Sequence, residues 1–180
     1  MLQITTQPVE FFDEKTQEFI NKKAQVLQLE HSLISISKWE QKWHKAFLTN
    51  KEKSLDETID YIRCMTLNKD VDPFCYYFIS SEDIDRIDQY ISDSMTATFF
   101  RDDNTPNRSS EVVTSELIYY WMISLNIPFE CQKWHLNRLL TLIKVCQIKN
   151  SPPKKRSKRE IMAQNAALNA ARRKRLNSKG

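Results

Sequence analysis

The chain divides into two parts that differ in their ability to build a hydrophobic core. All 19 aromatic residues lie in residues 1–150, and none lies in residues 151–180. The second part carries ten of the 27 lysines and arginines and one of the 23 acidic residues, which leaves 17 basic and 22 acidic residues in the first. The net charges are therefore −5 and +9. We predict one folded domain over residues 1–150 and a basic C-terminal arm over residues 151–180.

Composition excludes several functional classes. Glycine occurs only at Gly180, whereas phosphate loops, dinucleotide-binding turns and nucleophile elbows need glycine where the backbone turns sharply or approaches a ligand. The longest strongly apolar run, residues 117–125, is far shorter than the roughly 20 residues that span a membrane. No secretory signal is visible at the N-terminus. We therefore expect a cytoplasmic protein that makes no membrane contact.

Residue types that often carry chemistry are present without forming a recognisable site. The cysteines are Cys64, Cys75, Cys131 and Cys146. Without a secretory signal, reduced thiols in the core are expected. Cys131 and His135 are one helical turn apart, but two ligands are too few for a zinc site. His44 and His135 are candidate general bases without a nucleophile or an orienting partner in the pattern. We predict no catalytic residue, metal site or cofactor, and no enzymatic activity.

The first thirty residues have the pattern of a small antiparallel sheet. Leu2 and Ile4 alternate with polar residues, and the apolar pairs at 11–12 and 19–20 flank a polar turn, which indicates a β-hairpin. Helical patterns dominate the remainder. We predict a mainly α fold of the α+β class, with a small N-terminal antiparallel β-sheet followed by a helical domain and the basic arm.

Two helices are predicted between residues 30 and 70. The first begins at Ser37, or earlier near Ser32 or Ser35. Its apolar face is formed by Ile36, Trp39, Trp43 and Phe47. Ser54 and Glu57 have capping-box spacing at the start of the second helix. The predicted buried side of that helix is formed by Leu55, Ile59, Ile62 and Met65.

Shorter elements are predicted between residues 72 and 108. Asp72 before Pro73 indicates the start of a short aromatic helix. Ser81 is the predicted cap of a third helix, which bears Ile84, Ile87 and Ile91. Residues 96–100 are a candidate strand, and residues 101–108 have the composition of a polar loop.

The most apolar region, residues 111–148, predicts a helical hairpin at the centre of the core. Its first helix carries a stripe of Val113, Leu117, Trp121 and Leu125. Its second helix carries Leu136, Leu139, Leu140, Ile143 and Cys146 at helical spacing. The connection over residues 126–130 contains Pro128 and is short, so the two helices are expected to pack antiparallel.

Asparagine is expected to replace glycine where helices end in a left-handed conformation. The four candidate helix stops are Asn50, Asn68, Asn126 and Asn150. Ordinary polar loop positions are the alternative interpretation of the same residues.

The arm is the predicted binding site for a partner. The residues that we assign to it are Lys154, Lys155, Arg156, Lys158, Arg159, Ile161, Leu168, Arg172, Arg173, Lys174 and Arg175. Such charges bind phosphates without sequence preference, and they also bind acidic protein surfaces. A capping box at Ser157 and an alanine-rich stretch favour a helix that docks on a protein. We expect it to be frayed or disordered in the free protein and helical on a partner.

Four stretches resemble a family of small proteins from the tail-morphogenesis region of tailed bacteriophages and prophages. They are residues 35–48 (SISKWEQKWHKAFL), 59–67 (IDYIRCMTL), 114–145 (TSELIYYWMISLNIPFECQKWHLNRLLTLIKV) and 159–180 (REIMAQNAALNAARRKRLNSKG). The family is similar to phage tail assembly chaperones, which bind the long helical tape-measure protein and keep it soluble until the tail tube polymerises around it.

The resemblance implies a non-enzymatic function in the host cytoplasm, with a tape-measure or other tail protein as partner and no cofactor. It carries no catalytic positions to this sequence. The strongly basic ending is not needed to chaperone an apolar helix. The alternative is therefore a phage structural or nucleic-acid-binding protein that uses the basic arm.

Overall fold

The computed structural model describes residues 1–13, 17–49, 52–100, 111–152 and 158–177, with the backbone alone at Phe11, Asp13, Glu160 and Ile161. Four strands come first: β1 (Leu2–Thr5), β2 (Val9–Asp13), β3 (Glu18–Lys22) and β4 (Val26–Leu29). The α-helices are α1 (Leu33–Trp43), α2 (Leu55–Met65), α3 (Ser81–Ser92), α4 (Ser115–Ser124), α5 (Leu136–Asn150) and α6 (Lys158–Leu176). Short 3₁₀ helices span Pro73–Phe78 and Phe129–Lys133. The predicted mainly α fold with N-terminal antiparallel strands is confirmed.

The strands form two separate two-stranded sheets. β2 and β3 pair as the predicted hairpin, with Phe12 opposite Phe19. β1 pairs antiparallel with β4, with Ile4 opposite Leu27. Both of these side chains are buried, so the β1–β4 sheet contributes one face to the core.

Helix α1 begins at the earliest predicted start and ends before the predicted face is complete. The Ser32 side chain caps it by accepting a hydrogen bond from the backbone N–H of Ser35. His44, with φ of 53°, ends it. Phe47 therefore lies outside the helix, in correction of the prediction. It is nonetheless buried, with its ring centroid 5.2 Å from that of Trp39 in a T-shaped contact.

Helix α2 has the predicted capping box, in which the side chains of Ser54 and Glu57 each bond the other residue's backbone N–H. Ile59, Ile62 and Met65 are buried as predicted. Leu55 is 75% exposed, so its assignment to the buried side is wrong. It is the first residue of the helix, where the packed face has not yet begun.

The predicted helical hairpin is not the centre of the core. Helix α1 occupies that position and contacts α2, α4 and the second 3₁₀ helix. The buried face of α4 is formed by Ser115, Ile118 and Met122. The predicted stripe of Val113, Leu117, Trp121 and Leu125 is only half-buried. In α5, by contrast, Leu136, Leu139 and Ile143 are buried as expected.

Only part of the prediction for asparagine helix stops is confirmed. Asn126 follows α4 with φ of 53°. Asn150 is the last residue of α5 and has no positive φ. Asn68 lies beyond the end of α2 and accepts a hydrogen bond from the backbone N–H of Gln28, so it is not a helix stop. Asn50 lies outside the described residues.

Residues 96–100 do not form the predicted strand. The Asp93 side chain accepts a hydrogen bond from the N–H of Met95, and Thr96 accepts one from the N–H of Thr98. Such local side-chain bonds compete with strand pairing. The predicted loop at 101–108 lies outside the described residues.

Two compact units are present, Met1–Ile148 and Lys149–Gly180. The first contains the sheets, the core and the cysteines, all four of which are free thiols. The second contains α6.

Candidate functional sites

Helix α6 is 19 residues long, and every side chain that the structure describes in it is exposed. Alanine, glutamine, lysine and arginine favour the helical state without tertiary contacts. Arg173, Lys174 and Arg175 lie in the last turn, where positive charge interacts favourably with the helix dipole. Part of the positive charge of α6 therefore stabilises the helix itself. The exposed side chains remain available to a partner.

The predicted arm residues fall into three groups. Lys158, Arg159, Leu168, Arg172, Arg173, Lys174 and Arg175 lie in α6 with exposed side chains. Lys154, Lys155 and Arg156 lie outside the described residues, as does Ser157, for which a capping box was predicted. Ile161 lies in α6, and only its backbone is described.

Positive charge surrounds the C-terminal end of α6. Successive residues in an α-helix are about 100° apart around the axis, so the four consecutive cations at 172–175 extend around the helix. The large apolar side chains that the structure describes in α6 are Met162, Leu168 and Leu176. They lie within an arc of about 120° around the axis. The described side chains thus combine a basic ring with a sparse apolar side that includes Leu168, which is 50% exposed.

A buried polar cluster in the folded unit joins two histidines. The His31 and His135 ring centroids are 5.0 Å apart. Nδ1 of His31 hydrogen-bonds the hydroxyl of Tyr61. Nε2 of His135 donates to the backbone carbonyl of Tyr90 at 2.9 Å, and the hydroxyl of Tyr90 donates to Glu30 at 2.7 Å. These groups link segments that are far apart in the sequence.

Backbone pairing holds the two histidines together. Ser32 and His135 form an isolated antiparallel bridge, and the N–H of Leu136 donates to the carbonyl of His31 at 2.7 Å. His135 was a candidate residue from its sequence pattern, and His31 was not. The sequence did contain a signal for His31. The polar residues Glu30, His31 and Ser32 directly follow the apolar strand β4, and polar groups that are buried next to such a strand need hydrogen-bond partners.

Burial makes both histidines poor bases. It lowers the pKa of His31 to about 3, and the neighbouring His135 adds to the effect. Burial also lowers the pKa of His135. The imidazole of His135 lies against the Tyr90 carbonyl rather than beside a nucleophile. The other candidate base, His44, is exposed, and its positive φ ends α1.

A buried carboxylate joins α1 to α4. One oxygen of Glu40 accepts from the N–H of Phe47 at 2.8 Å, and the other accepts from the N–H of Ser115 at 2.7 Å. Both oxygens thus satisfy backbone donors, which is a structural use of a carboxylate. Among the described residues, no group of three or more histidines, cysteines and acids is placed to hold a metal ion.

The folded unit also exposes large apolar side chains. Tyr120 and Ile123 on α4 and Phe129 in the following 3₁₀ helix are each more than half exposed. Only a contiguous exposed apolar patch marks a surface that binds proteins, whereas single exposed apolar side chains are normal on a protein surface.

Comparisons with models of protein families, with curated proteins and with solved structures find no match to this chain. Among the described residues, no helix has both the length and the apolar character needed to cross a membrane.

Proposed function

We propose that this chain is a phage tail assembly chaperone-like protein that binds the tape-measure protein during tail morphogenesis. The observation that carries the proposal is α6, a helix whose described side chains are all exposed. The sequence resemblance supplies the class of partner, and the exposed helix supplies a means of binding it.

The helical state of α6 supports a protein partner. A segment that only neutralised charge would need no regular structure, whereas a helix places residues seven apart on one side. Ile161 and Leu168 have that spacing. A groove on a helical partner would bury Leu168, while arginines and lysines would pair with acids at its rim.

The basic ring at residues 172–175 favours a second candidate function, the binding of nucleic acid. Charges on several sides of a helix interact with phosphates in many orientations. Aromatic residues, which stack on bases in single-strand binders, do not occur in residues 151–180. This candidate is therefore a structural protein that contacts phosphates through charge alone.

Co-expression with the tape-measure protein of the same phage tests the first proposal. We expect more soluble tape-measure protein and a complex in size-exclusion chromatography. Ile161→Asp with Leu168→Asp should abolish the complex. Ala163→Asp with Ala170→Asp is the matched control, because it has the same spacing and charge change on another side of α6. Unchanged tape-measure solubility without a complex would refute the proposal.

Salt dependence separates the two candidates. Binding to duplex DNA through phosphates should weaken with a log–log slope of about −0.9 per phosphate contacted. Changing Arg172, Arg173, Lys174 and Arg175 to glutamine should flatten that slope. If the complex survives the double aspartate change and disappears in moderate salt, the nucleic-acid candidate replaces the first.

A further inference from the structure

Helix α4 has a second apolar side, which faces solvent. One side of the helix packs in the core. Positions 116, 119, 120 and 123 lie on another side, within an arc of about 100° around the axis. Tyr120 and Ile123 are more than half exposed, and Tyr119 beside them is half-buried. Large apolar side chains on this side thus remain exposed in the folded unit.

The exposed side of α4 continues onto the following 3₁₀ helix, Phe129–Lys133. The ring centroids of Tyr119 and Phe129 are 6.3 Å apart. The Tyr119 hydroxyl donates a hydrogen bond to Oε1 of Gln132 at 2.9 Å, which holds its ring against the 3₁₀ helix. Side chains three and four residues apart on a helix are neighbours, so Tyr119 and Tyr120 both adjoin Ile123. Tyr119, Tyr120, Ile123 and Phe129 therefore form one contiguous surface, which we call the α4 patch.

The α4 patch has the composition of the centre of a protein interface. Aromatic residues are enriched and charged residues are depleted at such centres. Three of the four patch residues are aromatic, and none is charged. Because the four side chains adjoin, they differ from the single exposed apolar residues that any protein surface carries.

The charge around the patch is negative. Residues 111–130 contain three glutamates and no lysine, arginine or histidine. Glu116 is exposed on the same side of α4 as Tyr120, and Glu130 is exposed directly after Phe129. Within the part of the chain that the structure describes, neither Glu116 nor Glu130 forms a salt bridge. The first basic residue after them is Lys133, at the end of the 3₁₀ helix.

These charges decide between possible occupants of the patch. A second copy of the chain would bring the same three glutamates to the interface, and like charges that face each other oppose association. An anionic membrane surface would be repelled for the same reason. A protein partner with lysine or arginine around an apolar side would instead be attracted at the rim and buried at the centre.

The dimensions of the patch fit a helix as the partner element. From Glu116 to Ile123 the exposed side extends over seven residues, or about 10 Å along α4. A partner helix with apolar residues at positions i, i+3, i+4 and i+7 presents an apolar row of the same length. Helices pack by placing such rows against each other.

We propose that the α4 patch binds an α-helix of another protein, with an apolar side that is flanked by lysines or arginines. Tyr120 and Ile123 pack on the apolar side, and Glu116 and Glu130 pair with the flanking cations. The patch is in the folded unit, so the proposal does not depend on the function proposed for the arm.

Fluorescence anisotropy of a labelled peptide with the full-length protein tests the proposal. The probe is a synthetic leucine–lysine peptide of about 15 residues, whose leucines share one side in the helical state. The control peptide has the same composition in an order that distributes the leucines around the helix. Because both peptides carry the same charge, the difference between them measures the apolar contact. We expect saturable binding of the probe and no saturable binding of the control peptide.

Two isoleucines of similar exposure provide matched variants. Ile123 in α4 is 60% exposed, and Ile148 in α5 is 54% exposed. Ile123→Ser should weaken binding of the probe about tenfold, as expected when one aliphatic side chain is no longer buried on binding. Ile148→Ser should leave the affinity unchanged.

NMR locates the contact without any substitution, so the test holds even if Ile123→Ser fails to fold. On addition of the probe peptide to the unmodified protein, the backbone amides of residues 119–123 and of Phe129 should shift. The amide of Ile148 and those of its neighbours should not.

Charge variants test the rim of the patch. Glu116→Gln with Glu130→Gln should weaken binding by roughly threefold to tenfold at low salt, and it should make the affinity less dependent on salt. Glu52→Gln with Glu82→Gln is the matched control, because it removes the same charge from exposed positions outside residues 111–130. The control should weaken binding less.

Three results would overturn the proposal. Equal binding of the two peptides would show that charge alone attracts them. Equal weakening by Ile123→Ser and Ile148→Ser, or amide shifts confined to other parts of the protein, would place the contact outside the α4 patch. A dimer of the protein alone in analytical ultracentrifugation that Ile123→Ser dissociates would show that a second copy occupies the patch.

Discussion

Leu139 and Leu168 are the same residue type in the same secondary structure, with opposite surroundings. Leu139 in α5 is completely buried, whereas Leu168 in α6 is 50% exposed. Helix α5 carries further buried apolar residues at helical spacing, but α6 is mostly alanine and charged or amide side chains. The comparison shows two ways to make a helix in one chain. Packing of an apolar face stabilises α5, and intrinsic propensity with favourable end charges stabilises α6.

The largest difference in the free energy of unfolding is expected between two leucine-to-alanine substitutions, one in each helix. Leu139→Ala leaves a cavity in the core and should reduce the free energy of unfolding by roughly 2–5 kcal/mol. Leu168→Ala should change it by less than about 0.5 kcal/mol, because it removes an exposed side chain. Urea unfolding followed by tryptophan fluorescence measures both. Equal shifts of the two midpoints would show that α6 belongs to the folded core.

A second prediction uses the fact that all three histidines lie in the folded unit. The pKa of His31 is lowered on folding to about 3, so the unfolded chain binds the proton more strongly. Stability should therefore be full above about pH 6.5 and fall as the pH drops below it. His31 alone should contribute a loss of about 2 kcal/mol between pH 7 and pH 5.

Urea unfolding at several pH values measures this loss. His31→Asn can still bond the Tyr61 hydroxyl but does not titrate, so the loss should become smaller by about 2 kcal/mol. His44→Asn is the control, because His44 is exposed and asparagine tolerates its left-handed backbone. If the free energy of unfolding depends on pH equally in the unmodified protein and in both variants, the loss of stability does not come from His31.

Removal of the arm is expected to have the smallest effect on the stability of the folded unit. Truncation after Asn150 deletes only exposed side chains among those described in α6, so the urea midpoint of the folded unit should hardly change. The loss of stability between pH 7 and pH 5 should also persist. Loss of cooperative unfolding in the truncated chain would mean that the arm is part of the core and that the contrast between the two regions is wrong.

Local features were predicted well because their causes are local. The capping box of Ser54 and Glu57 depends on two side chains three residues apart. The left-handed Asn126 depends on the tolerance of one residue for positive φ. The β2–β3 hairpin depends on two apolar pairs on either side of a short turn. The stop at His44 was missed because glycine and asparagine are the usual residues in the left-handed position that ends a helix.

Features that join distant segments were not predictable in the same way. The His31–His135 cluster needs residues 104 positions apart to meet, and neither neighbourhood specifies the other. Glu40 gives no sign in the sequence that it will bond the N–H of Ser115. The antiparallel bridge between Ser32 and His135 and the hydrogen bond from the Leu136 N–H to the His31 carbonyl likewise join segments that are distant in the sequence.

Composition alone separates an aromatic, acidic segment from a basic segment without aromatic residues, and it sets how much apolar surface each segment can bury. Tertiary packing, by contrast, selects which face of α4 is buried. That helix is apolar on most sides, so the stripe through Trp121 and the stripe through Ile118 are equally possible from periodicity. Packing on α1 selected Ile118 and Met122, since the Glu40 carboxylate binds the first N–H of α4 and sets its rotation.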